Sequence, residues 1–129
     1  MPSFPIKLHG KYAIWSTVCD QPVTPFVESL DELRQLAPHT VGETPQKALD
    51  LLERTGVPYP SYTSAEHLAE NNLAGDATNE YTLSTDQLMT TFANTENGRR
   101  RAARNLETVD QAMGLIAHKI NELNDSPKH

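Results

Sequence analysis

The chain has 129 residues, one cysteine and a formal charge of −6, and 37% of its residues are hydrophobic. That length suits one domain that buries a core without metals or disulfides. Lone Cys19 excludes an internal disulfide framework, and the acidic balance argues against a generic nucleic-acid binder. The longest apolar runs are about four residues, as in Tyr12–Trp15, too short for a bilayer. With no signal-peptide core at the N-terminus, the expected compartment is the cytoplasm.

The charge is uneven. Residues 1–28 sum to zero, residues 29–97 to −8 and residues 98–129 to +2. The sequence therefore divides into a β ribbon (1–28), an acidic helical body (29–97) and a long helix (98–125), all within one domain.

Phe4, Ile6 and Leu8 alternate with polar residues, His9-Gly10 supplies a turn, and residues 11–19 form the best strand candidate. Asp20-Gln21-Pro22 is turn chemistry. Val23–Val27 can return alongside, with Pro25 confining it to a sheet edge.

Helices follow, each with a start signal. Ser29 and Glu32 spell a capping box for a helix that Pro38 stops. Thr44-Pro45 opens a helix ending at Gly56, and Val57–Tyr62 must run extended. Thr63 and Glu66 spell another box, for a helix through Leu73 to Gly75. Glu80–Leu83 fits a short strand, and Ser84 with Gln87 is a third box.

The last helix is the most patterned stretch. Ala102, Leu106, Val109, Met113, Ile116, Ile120 and Leu123 alternate in steps of four and three, the stripe of a helix that seats on a partner helix. Alanines 103, 112 and 117 flank it and permit close approach. Self-association through this stripe, as a dimer, is the expectation. Asn97-Gly98 predicts a break before it. The rival is one continuous helix, favoured by the Glu96–Arg100 spacing and by the poor fit of arginines to a helix's first turn.

Arg99, Arg100, Arg101 and Arg104 form a basic collar. At 100° per residue, Arg100, Arg101 and Arg104 fall opposite the stripe and Arg99 on its flank. Three readings compete: a solvated face, a docking patch for an acidic protein, and a phosphate, nucleotide or nucleic-acid site. Arginine forks suit phosphate, but no Gly-rich loop accompanies them.

No catalytic constellation emerges. His67 with Glu70, and His118 with Glu122, share helix faces, but one His and one carboxylate do not make a metal site. Cys19 beside Asp20 has no base nearby in sequence. Tyr59 and Tyr62, in a Pro-bounded loop, are candidate aromatic anchors for a partner. The sequence calls for no cofactor and no metal.

The fold class expected is α+β, mostly helical. The function expected is a non-enzymatic accessory or inhibitor protein that self-associates and engages a protein partner. The alternatives are nucleotide or nucleic-acid binding at the collar, and an enzyme whose site is shared across a subunit interface.

Overall fold

A computed structural model describes residues 3–36, 46–58, 64–75 and 81–125, with the side chains of 46, 113 and 115–125 outside that description. It shows an α+β fold. An antiparallel sheet in the order β1 (Ser3–Leu8), β2 (Lys11–Ser16), β3 (Gln21–Pro22) is followed, among the described residues, by five helices. These are α1 (Leu30–Leu36), α2 (Gln46–Thr55), α3 (Ala65–Glu70), α4 (Thr85–Thr91) and α5 (Glu96–Asp125).

The His9-Gly10 turn forms as the sequence predicts. Leu8 pairs with Lys11, and both turn residues have positive φ (49° and 78°), the signature of a tight hairpin whose twist matches its strands. The return strand comes earlier than expected: β3 falls on Gln21–Pro22, which the sequence reads as part of a turn, and Val23–Val27 forms no continuous strand. After Gln21 and Pro22 the backbone detours, and the Thr24 hydroxyl takes the Ile14 N–H at 2.9 Å in place of a carbonyl. Pairing resumes at Val27, which exchanges two 2.8 Å backbone bonds with Tyr12.

Both faces of the sheet are covered. Phe4 and Ile6 stand opposite Trp15 and Ala13 on one face, enclosed with Ala65, Ala69, Leu88, Phe92 and Ala102. The Trp15 indole N–H has no hydrogen-bond partner among the described residues. On the other face Ile14 packs with Val23, Val27, Leu33, Leu49 and Val109. Helix α5 contributes to both clusters, Ala102 to one and Val109 to the other, so it lies along the β3 side of the sheet and joins the two cores.

Three capping expectations fare differently. At α1 the Ser29 Oγ accepts the Glu32 N–H (3.2 Å), and at α4 the full Ser84–Gln87 box is present. At α3 the cap is Ser64, which accepts from the His67 N–H at 3.0 Å, and not the predicted Thr63 with Glu66. Thr44, Pro45 and Thr63 lie outside the described residues, as do Tyr59 and Tyr62.

Helix α3 ends at Glu70, short of the predicted Gly75, because the enclosed Asn72 side chain takes over. Its Nδ2 donates to the Ala69 carbonyl (2.6 Å) and the Leu83 carbonyl (2.8 Å). Its Oδ1 accepts from the Ala74 N–H (3.1 Å) and the Leu83 N–H (3.0 Å). Residues 81–83 are consequently not a strand: Asn72 satisfies the Leu83 backbone groups that a strand neighbour would have met.

Candidate functional site

The collar begins where α4 hands over to α5, and the predicted break is misplaced. Helix α4 ends on Phe92, and α5 starts at Glu96, so the break spans Phe92–Thr95 while Asn97 and Gly98 lie inside the first turn of α5. Two interactions explain it. The Phe26 N–H donates to the Phe92 carbonyl at 2.8 Å, drawing the connection onto the sheet as a further edge. Thr95 then caps α5, its Oγ1 accepting the Gly98 N–H at 3.1 Å.

Gly98 serves packing, not turning. A Cβ there would stand 1.7 Å from the Ala93 carbonyl oxygen, so only glycine lets the helix start this close to the preceding segment. This start also eases the dipole conflict: Glu96 and Arg99 share the first turn, and Arg100, Arg101 and Arg104 fall beyond it.

The buried face of α5 is rotated from the apolar stripe. The enclosed positions are Gly98, Ala102, Asn105 and Val109, with Leu106 only half-buried on the flank. A polar residue thus sits mid-face, and it is matched. Asn105 Nδ2 donates to Gln21 Oε1 (3.0 Å) and to the Pro22 carbonyl (2.8 Å). Its Oδ1 accepts from Arg101 Nη1 at 2.6 Å. Gln21, fully enclosed, also accepts from Arg101 Nη2 (2.7 Å) and donates through Nε2 to the Leu73 carbonyl (3.0 Å). One buried amide therefore ties β3 to α5 and to the segment after α3.

The four arginines separate into different environments. Arg99 is exposed and donates to Asn94 Oδ1 at 3.2 Å. Arg100 forms the expected i,i+4 pair with Glu96 at 2.6 Å, both largely in solvent. Arg104 is exposed and has no ion pair among the described residues.

Arg101 departs from its predicted place on the outer face. It is half-buried, its guanidinium 5.1 Å from the centre of the Phe92 ring and bonded to two neutral amides. The rotation of the buried face brings it to the edge of the interior. Burial, and then the charge of Arg104, lower its pKa from the usual guanidinium value, with Cys19 acting the other way.

The other sequence candidates stay apart. Cys19 is half-buried with its Sγ 3.8 Å from the Gln21 carbonyl, and burial raises its pKa. Asp20, beside it at φ 52°, is also pushed up by burial. His67 and Glu70 are both exposed on α3. Among the described residues no three His, Cys, Asp or Glu side chains gather as a metal site would require. A depression lined by His9, Asp86 and Thr90 gathers residue types suited to nucleophilic chemistry, but the Thr90 hydroxyl donates to the Asp86 backbone carbonyl, as in an ordinary helix.

Ala102 and Val109, from the self-association stripe, are enclosed in the chain's own core. Helix α5 continues as far as Asp125, carrying Met113, Ile116, Ile120 and Leu123 in the same sequence register. Gln21, Asn72 and Asn105 were not legible as organising residues. Each is an isolated amide with no motif around it. The candidate site is thus the amino-terminal half of α5, pinned by Gln21 and faced by arginines. No described helix is long and apolar enough to cross a membrane. No protein-family model matches the chain, and no match was found among curated proteins or solved structures.

Proposed function

We propose that this is a non-enzymatic binding protein that uses α5 twice, to self-associate through the helix's later half and to present arginines to a protein partner from its earlier half. The observation that carries this reading is the length of α5, which runs 16 residues beyond Val109, about 24 Å at the usual rise. The sequence spacing over that length keeps four apolar residues in step. A heptad-spaced helix of this kind gains by seating against a second one. The arginines lie before it, on a chain that is acidic elsewhere, which suits an acidic partner.

Light scattering tests the first half of the reading. The full chain is expected to run at twice its 14.3 kDa mass, and the double variant Ile116→Asp, Ile120→Asp at that mass. A monomeric full chain at high protein concentration would refute self-association. Truncation before Gly98 is unsuitable, because it would remove Ala102, Asn105 and Val109 from the interior.

A further inference from the structure

Deepening the partner half of that reading, on which it rests, we propose that Arg101 and Arg104 together form a carboxylate-binding subsite for an acidic peptide segment of the partner. Of the collar's four arginines, Arg100 is paired with the Glu96 carboxylate, and Arg99 and Arg101 bond only neutral oxygens. Arg101 and Arg104 stand three residues apart on one helix, a spacing that sets their Cβ atoms about 5–6 Å apart.

Neither has an anionic partner among the described residues. For Arg104 that is unremarkable, since it is in solvent. For Arg101 it is not. A half-buried cation ordinarily acquires a carboxylate, because its lost hydration is otherwise uncompensated. Here two amide oxygens and the face of Phe92 hold the group, leaving its full charge in place. Those two bonds use one N–H each from Nη1 and Nη2, and a guanidinium has five. The other three have no partner among the described residues, and the side chain's orientation is already set, so little conformational entropy remains to be lost on binding.

Arg104 adds a second, exposed cation beside the fixed one. The pair suits a carboxylate approached by one rigid fork and one adaptable one. The surrounding chain favours selectivity: it is acidic overall, so an acidic segment is repelled from most of the surface and admitted at this helix.

The test titrates the intact, full-length protein with a hexaglutamate peptide while the arginine Nε–Hε signals are followed by NMR. The Arg101 and Arg104 signals are expected to shift saturably. Arg104→Gln, a substitution at an exposed site that keeps the fold, is expected to weaken binding about tenfold, the scale of one charge-assisted hydrogen bond. Arg54→Gln, which removes the same charge from an exposed position of α2, is expected to leave it unchanged. Equal weakening by both variants would reduce the effect to net charge and overturn the proposal, as would the absence of saturation. Binding of inorganic phosphate without hexaglutamate would overturn the peptide assignment. A monomeric full chain that still binds hexaglutamate at these two signals refutes the self-association reading and sustains this one. A dimer without such binding does the reverse.

Discussion

Arg101 reaches across 80 positions of sequence to set its guanidinium 2.7 Å from Gln21 Oε1, and the same oxygen accepts from Asn105 at 3.0 Å. This contact decides which way α5 faces. A helix placed by its apolar residues alone would centre Leu106. Pinning Asn105 against Gln21 turns it, so that Leu106 moves to the flank and Arg101 comes to the edge of the interior.

Gln21→Leu removes the acceptor for two donors and the donor to Leu73. It is expected to cost about 2–4 kcal/mol, the scale of leaving buried polar and charged groups unmatched. Urea unfolding checks this: the midpoint falls while the slope stays the same. Pairing it with Asn105→Leu is expected to lower the midpoint further, since the half-buried Arg101 then keeps neither amide oxygen.

Gly98→Ala runs against helix propensity. In an open helix interior alanine is better than glycine by about 1 kcal/mol. Here the added methyl would meet the Ala93 carbonyl at 1.7 Å, so the substitution is expected to destabilise by about 1–3 kcal/mol, as overpacking does. Thermal unfolding gives the sign directly. A raised midpoint would show that the connection between α4 and α5 relaxes freely.

Asn72→Ala removes four hydrogen bonds from a fully enclosed site. A loss of about 2–3 kcal/mol is expected, mostly the cost of stranded backbone groups. Hydrogen exchange locates it: the Leu83 and Ala74 amides lose protection more than those of β2.

Cys19 supplies a pH dependence. Burial raises its pKa in the folded chain, so the native state keeps the thiol proton to higher pH than the unfolded state does. Stability is therefore unaffected below the ordinary thiol pKa, declines as pH rises above it, and levels off beyond the raised folded value. Unfolding midpoints across the alkaline range are expected to show this decline, and Cys19→Ser to lessen it. Reaction of the native thiol with a disulfide reagent is expected to lag behind that of the unfolded chain at the same pH.

Much of the architecture could be read from local pattern. The hairpin turn, the Ser29 and Ser84 caps, the Glu96–Arg100 pair and the C-terminal helix each depend on residues within a few positions of one another. Local signals also misled where a distant group competed. Asn97-Gly98 reads as a turn, yet the chain turns earlier because Phe26 bonds the Phe92 carbonyl. Thr63 and Glu66 match a capping pattern, but Ser64 takes the role.

The sequence by itself determined the elements, because helix periodicity, strand alternation and capping are short-range properties of the backbone. Only the tertiary structure decided how α5 is turned, and with it the standing of each arginine. That choice depends on buried amides, Gln21 and Asn105, meeting each other from 84 positions apart. Amides carry no periodic or charge signature. What selects them is the cost of an unmatched polar group in the interior, and that cost exists only once the chain has folded.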